Sequence, residues 1–407
     1  MPLIVSYEEA AQLVRGEAER VLARSLQKEF VPLLRAPGRV LAEPILADRD
    51  QPPFPRSTRD GFACRANELE RGPLRIAGLL RAGQPWTGGS LGVGEAVEIM
   101  TGAAVPPGAD CVAMVEHVAV AVAVGQVRLN GQQRPAAGEN IVPTGAEAKR
   151  GDSIIPAGRR LGPAEIAAVA ACGAATVPVF LRPRIAIVST GDELVDVAQS
   201  PLTHQIRNSN SYSLGAQVAA AGGEPELLPI VRDDAAETEA VIRQAVTFDL
   251  ILLTGGVSMG RFDFVEPALL TAGAEFLFTG VRMQPGKPVV FGRIGEKPFF
   301  GLPGNPISAM VTCALFVSPV LRALGGERET EPRFRMARLE EGIAVKAGLT
   351  RFLPARLQSD VHGTRVRRIS WQGSGDLTAA ARANSFLVVP ESRDKLDEGE
   401  IVAILEL

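Results

Sequence analysis

The sequence is poor in the residues that several common chemistries need. Its 407 residues include three histidines, His117, His204 and His362, and none has ligand-like spacing. That argues against a zinc site and against a histidine-based triad. The four cysteines, Cys64, Cys111, Cys172 and Cys313, form no CxxC pair. They read as small core residues in a reducing cytoplasm. No apolar run approaches membrane-spanning length, so no membrane role is expected. The opening MPLIVSYEEA lacks the charged-then-apolar plan of a signal peptide, which again points to the cytoplasm. No GxxxxGK[ST] loop is present, which disfavours a nucleotide kinase. Neither sign of charge dominates: 43 basic and 46 acidic side chains leave a net charge of −3. Any basic site must therefore be local, and nucleic acid is not an expected partner. Internal repeats and low-complexity tracts are missing too.

What is present is a soluble, globular composition, 46% apolar and 22% charged, on a chain long enough for two to four domains. Ser6-Tyr7-Glu8-Glu9 matches a capping box that opens a helix to about Ser25, with Val14, Ala18 and Val21 on one face. Pro52, Pro53 and Pro55 then stiffen the chain and deliver Ser57-Thr58-Arg59-Asp60-Gly61-Phe62-Ala63 in an extended or turning form. Asp60 is either a turn residue or a carboxylate carried to a site on a stiff arm. From about Leu74 to Val142 short strands, glycines and prolines suggest a small β domain. Within it, VAVAVAV (118–124) suits a strand packed on both faces. Thr101, before Gly102, can offer a hydroxyl and an N–H to a ligand; a plain tight loop is the alternative. A helix with Pro163 in its first turn and Gly173 past its end is almost all small and apolar, so burial is expected. The β region thus reads as inserted between two pieces of one domain.

From Arg184 to about Gly325, apolar strands near 185–188, 226–230, 250–253 and 289–291 alternate with helical stretches near 212–221, 235–246, 264–270 and 306–324. Such alternation predicts a mostly parallel sheet covered on both sides. From Pro332 onward the pattern alternates, predicting a small antiparallel β domain. The expected fold class is multidomain α/β plus β, with a three-layer α/β domain. The expected boundaries are 1–50 and 139–180 for an N-terminal helix and split linking domain, 51–138 for the inserted β domain, 181–327 for the α/β domain and 328–407 for the C-terminal β domain.

The stretch DLILLTGGVSMGRFD (249–263) organises the rest. An apolar strand breaks into Thr254, Gly255, Gly256, Val257 and Ser258 before a helix. Adjacent glycines turn the chain steeply and leave N–H groups uncovered, as α/β proteins do to cradle anions. An ordinary buried strand-to-helix connection is the other reading of this stretch. Asp263 follows, close enough to hold a metal ion that the same anion would share. Four more strand ends carry STGDEL (189–194), VRDD (231–234), MQPGKP (283–288) and GLPGNP (301–306). Asp192, Glu193, Asp233 and Asp263 would repel a phosphate unless they cap helices or a cation lies between, and magnesium is the first candidate. Glycine-turn amides and Lys287 supply the opposite charge. Pro303 and Pro306 fix a rigid turn before a helix whose first N–H groups can face an oxyanion.

The ordered set STRDGFA, MTGA, STGDEL, RDD, TGGVSMGRFDF, MQPGKP, GLPGNP and GSGDL resembles that of molybdopterin molybdenumtransferases, the molybdenum insertases related to the C-terminal domain of gephyrin. The likeness covers nearly the whole chain. It implies an elongated homodimer with four domains per subunit and a site shared between subunits. It implies the last step of molybdenum cofactor synthesis: adenylylated molybdopterin reacts with molybdate and AMP leaves, with help from Mg²⁺. It further implies other cofactor-synthesis enzymes and molybdoenzymes as partners. Carried over by motif, Asp60, Thr101, Glu193, Asp233 and Asp263 are the expected catalytic set, the last three also as metal ligands. Gly255, Gly256, Ser258, Lys287, Pro303, Pro306, Arg356 and Ser374 are the expected substrate-binding set. Three departures stand out. Thr58, Arg59 and Phe62 replace residues of the family's SAMDGYA. Gln284 and Gly280 stand where basic residues are frequent, with Arg282 as a possible substitute. Residues 140–147 depart from NIRxxGED. Two rivals are a molybdopterin adenylyltransferase, which resembles the α/β domain alone, and a non-catalytic, gephyrin-like scaffold.

Overall fold

The computed structural model describes residues 3–255 and 264–406. The chain falls into two units. One comprises Met1–Glu43, Gly158–Gly162 and Thr176–Leu407; the other comprises Pro44–Ala157 and Pro163–Ala175.

The centre of the first unit is a six-stranded sheet. Its strands lie in the order Glu224–Leu227, Arg184–Ser189, Leu250–Thr254, Lys297–Leu302, Val290–Ile294, Ala274–Phe278. The first four pair in parallel, and the last two add antiparallel pairings. The period-two alternation of side chains divides the core cleanly. Ile185, Ile187, Leu250 and Leu252 face the helices Asn210–Ala220 and Pro306–Leu324. Ala186, Val188, Ile251 and Leu253 face the helices Ala235–Ala245 and Val265–Thr271. Three layers result, as the alternating pattern predicts. The strands Ala274–Phe278 and Lys297–Leu302 are absent from the sequence reading; the second is half of a hairpin turning at Gly295-Glu296.

The N-terminal helix spans Tyr7–Leu22 and has the full capping box, Ser6 Oγ accepting from the Glu9 N–H and Glu9 accepting from the Ser6 N–H. It ends three residues before Ser25, with Val14, Ala18 and Val21 buried as expected. The segment Pro306–Leu324 is the one helix among the described residues long and apolar enough to cross a membrane; 72% of it is buried inside the protein, as suits a core helix.

The C-terminal strands Thr350–Asp360, Gly363–Arg368, Phe334–Leu339, Ile401–Glu406 and Ser385–Val389 follow one another, and the last pairs with the first. The sheet therefore closes into a small barrel around Leu339, Leu353, Val366, Leu387 and Ile404. It is not wholly antiparallel, because Phe334–Leu339 and Gly363–Arg368 pair in parallel.

In the second unit, the order is Cys111–Met114, Gly61–Cys64, Glu95–Ile99, Leu74–Leu80, Gln126–Leu129, Val118–Ala121. Gly61 is required at its position: a Cβ there would collide with the Ala113 carbonyl on the neighbouring strand. Two expectations fail here. VAVAVAV is not a doubly packed strand. Only Val118–Ala121 is extended, at the sheet edge; Val122–Val124 form a 3₁₀ turn, and Val120, Val122 and Val124 are exposed. The helix Pro163–Ala171 buries Val169 alone, leaving its alanines largely at the surface. Small apolar residues bury too little area for composition alone to dictate an inner position.

Candidate functional site

Five loops of the first unit meet at the carboxyl ends of the parallel strands. The strand Arg184–Ser189 runs into Thr190, Gly191, Asp192 and Glu193. The strand Leu250–Thr254 runs into Gly255. At Gly255 the backbone has φ +87°, and a Cβ there would strike the Thr190 carbonyl, so only glycine fits the crossing. Gly256, Ser258 and Asp263 lie outside the described residues.

A cavity of about 700 Å³ opens between these loops. Glu193, Gly255, Lys287, Pro303, Asn305 and Ser374 contribute to its wall, with Gln284, Trp371 and Gly373. The barrel takes part directly. Met283-Gln284 pairs in parallel with Thr350-Arg351, which ties the MQPGKP loop to the barrel edge. The Ser374 carbonyl accepts a bond from the Ile307 N–H at 2.9 Å. That contact corrects one expectation, since the Ile307 amide at the helix start is occupied by protein rather than left for an oxyanion. Pro306 is the first residue of that helix and lines an adjoining cavity of about 550 Å³. The two cavities share Glu193, Ile206, Gly255, Gly304 and Asn305.

Of the acidic side chains on these strand ends, Glu193 lines both cavities, whereas Asp192 and Asp233 line neither. The Asp233 N–H donates to Asp192 Oδ1 at 3.3 Å. Burial first, and then the negative charges of Asp192 and Glu193, push the Asp233 carboxyl above its ordinary range. A group held this way favours a cation nearby, and oxygen-only donors suit a hard divalent ion. In that sense Glu193 and Asp233 fit magnesium. Among the described residues, however, no three acidic, histidine or cysteine side chains form a ready metal site.

Arg356 projects from the strand Thr350–Asp360, is exposed and donates to the Arg382 carbonyl at 3.4 Å. It lines neither cavity. Arg282 does not stand in for the missing basic residues: its Nε lies 3.8 Å from the Glu391 carboxylate, and it lines neither cavity.

Asp60 and Thr101 belong to the second unit. Gly61 and Ile99 are register partners on adjacent strands, so the residues just outside them meet at the same sheet end. Both the Thr101 N–H, at 2.6 Å, and the Thr101 hydroxyl, at 2.7 Å, donate to Asp60 Oδ1. The N–H first and the hydroxyl second hold the Asp60 carboxyl below its ordinary range. Asp60 is thus an oriented, ionised carboxylate.

Trp371, Thr190, Thr254 and Asn210 are site residues that the sequence motifs do not single out. The tract HQIRNSN (204–210) carries a cluster of amide and hydroxyl side chains that could have flagged Asn210.

Family models match three consecutive stretches: the MoeA N-terminal region (domain I and II) over residues 5–173, a probable molybdopterin binding domain over 186–323, and the MoeA C-terminal region (domain IV) over 336–407. The molybdopterin molybdenumtransferase of Bacillus subtilis is 32% identical over 385 residues, covering 93% of this chain and 90% of its own. The chain belongs to the molybdopterin molybdenumtransferase family. A relative of the same name from Nostoc is 34% identical, covering 93% of this chain and 88% of its own. The crystal structure of the molybdopterin biosynthesis moeA protein from Pyrococcus horikoshii OT3 is 30% identical, with a TM-score of 0.79 over 99% of this chain and 100% of that one. The family works in molybdenum cofactor biosynthesis. Its members match on both sides of the α/β domain, so a stand-alone adenylyltransferase does not describe this chain.

Proposed function

We propose that this chain inserts molybdate into adenylylated molybdopterin with release of AMP. The observation that carries the reading is the pairing, at one set of strand ends, of a cavity holding Lys287 with the acidic group Asp192, Glu193 and Asp233. Molybdate is a dianion, and the second substrate carries a pyrophosphate. Bringing them together requires donors aimed at the anions and a means of offsetting their repulsion. Lys287 and the glycine-turn backbone at Gly255 and Gly286 supply the donors. Pro303 and Pro306 keep the floor rigid. Glu193 and Asp233 would hold Mg²⁺ together with Asp263. The chemistry supplied there is charge neutralisation at the phosphoanhydride and the departing AMP. No side-chain nucleophile is needed, since an oxygen of molybdate or of water can attack phosphorus.

The family likeness also supports a homodimer in which Asp60 and Thr101 complete the site of the other subunit, in a cytoplasmic protein that hands its product to molybdoenzymes. The decisive experiment measures AMP release from adenylylated molybdopterin by the purified chain. Release should require both molybdate and Mg²⁺. AMP release indifferent to molybdate would sink the reading, and no release under any condition would favour a scaffold. Mixing Asp60→Ala with Asp263→Ala chains should restore part of the activity; silent mixed dimers would rule out a shared site.

A further inference from the structure

Two buried polar atoms of residues that line the second cavity have no partner among the described residues: Thr190 Oγ1 and Asn210 Oδ1. Thr190 is only 4% exposed. An unsatisfied buried acceptor or hydroxyl is costly, and native proteins keep few without a reason. Here the local structure enforces both. The Asn210 amide nitrogen donates to the Gly304 carbonyl at 2.7 Å and to Thr254 Oγ1 at 3.0 Å. A carbonyl can only accept, so the orientation of the amide is fixed and Oδ1 is the free end. Thr254 Oγ1 in turn donates to the Pro303 carbonyl, which locks the chain of bonds. At Thr190 the backbone N–H is tied to the Thr254 carbonyl at 3.0 Å, while a Cβ on Gly255 would come within 3.3 Å of the hydroxyl. Glycine at 255 therefore leaves no side chain packed against that buried hydroxyl.

The two cavities differ in character. The first holds Lys287 and suits an anion. Among the described residues the second has no lysine, and Arg207 in its wall spends its Nε on the Val197 and Gln199 carbonyls, each at 3.1 Å. Apart from the Glu193 carboxylate, which it shares with the first cavity, its remaining polar wall is amide and hydroxyl, flanked by Leu194, Ile206 and Leu377. Neutral hydrogen-bonding groups between apolar side chains suit an uncharged planar ring.

We propose that Thr190 and Asn210 determine specificity for a nitrogen heterocycle of the substrate, Asn210 Oδ1 accepting from a ring or amino N–H and Thr190 Oγ1 completing the pair. The assignment rests on the molybdenum-insertion reading, whose substrate has two such rings, a pterin and an adenine. The same chemistry could come from either.

The test is calorimetric titration of the full chain with AMP and, separately, with molybdopterin, for wild type, Thr190→Val and Thr190→Ser. Valine keeps the shape and removes an unpaired hydroxyl, so the melting temperature should hold or rise. Affinity for one ligand should fall about five- to tenfold, the worth of one neutral hydrogen bond, and serine should restore it. A loss confined to AMP places the adenine here, and a loss confined to molybdopterin places the pterin. Unchanged affinity for both, or equal weakening together with a lower melting temperature, would overturn the assignment. Wild-type protein that binds both ligands yet releases no AMP with molybdate and Mg²⁺ present would count against molybdenum insertion and leave the ring assignment standing.

Discussion

Thr101 donates twice to a single oxygen of Asp60, through its backbone N–H and its hydroxyl. The second oxygen of the carboxylate takes part in neither bond, so Asp60 is oriented and has capacity to spare. Because its carboxyl is held below the ordinary value of 3.8, it stays charged as pH falls through that value. Thr101→Val keeps the N–H bond, the larger of the two effects, and removes the hydroxyl bond. The acid limb of the rate–pH profile should then move to higher pH, and turnover should fall by about tenfold, as expected for loss of one positioning bond. A profile superimposable on wild type would mean that the hydroxyl contributes nothing to the reaction.

Asp233 presents the opposite case. Burial and its acidic neighbours raise its carboxyl, so folding disfavours the charged form. Sign matters here. The penalty is absent below 3.8, where the group is protonated in both states, and grows as pH rises through the elevated folded value. Asp233→Asn should therefore melt higher than wild type at pH 7, by on the order of 1 °C given the exposure of the site, and match it in acid. Added Mg²⁺ should raise the melting temperature of wild type by mass action and leave that of the variant nearly unmoved. A variant that melts lower than wild type, or responds equally to Mg²⁺, removes Asp233 from the proposed ion site. This readout does not depend on turnover.

Gly255 tests the geometry of the turn. Its φ of +87° and the closeness of the Thr190 carbonyl leave no room for a side chain. Gly255→Ala must either push two strand ends apart or abandon the left-handed conformation. A destabilisation of about 2 kcal/mol or more is expected from backbone strain and collision together. Denaturant titration followed by a signal from the α/β domain would measure it. A cost near zero would mean that the loop relaxes freely and that the glycine is not what shapes the cavity.

Much of this architecture is legible in the sequence, for identifiable reasons. The buried strands at 185–188 and 250–253 are apolar on both faces, and the N-terminal helix carries a capping box at Ser6 and Glu9 that agrees with the fold. Composition misplaces residues whose position depends on small differences in buried area, namely the alanines after Pro163 and the valines after 118. The contacts of Thr190, Asn210 and Ser374 could not be read at all. Each depends on strands or domains distant in sequence arriving side by side: 184–189 beside 250–254, and the barrel loop at 371–374 against the helix beginning at 306. The functional weight given to Asp60 and Thr101 came from family motifs. The physical reason that they occur together, adjacent strand ends in one sheet, is visible only in the fold.

Lys287 is the lysine in the wall of the first cavity, and neither the Gln284 side chain nor Arg282 supplies a second positive charge there. Among the described residues of that wall, Lys287 is the one cationic side chain, and it must hold an anion together with backbone amides. Lys287→Gln should therefore weaken molybdate binding by about tenfold or more, the worth of one charge-assisted hydrogen bond. Because the side chain is exposed, the wild-type interaction should also be screened. Raising the salt concentration from low to physiological ionic strength should narrow the gap between wild type and variant. Lys287→Arg keeps the charge but changes its shape and reach, and should recover part of the affinity. Binding titrations at two ionic strengths would decide the matter: a gap that does not shrink with salt means that the lysine acts by packing, and no gap at all means that the anion is held elsewhere.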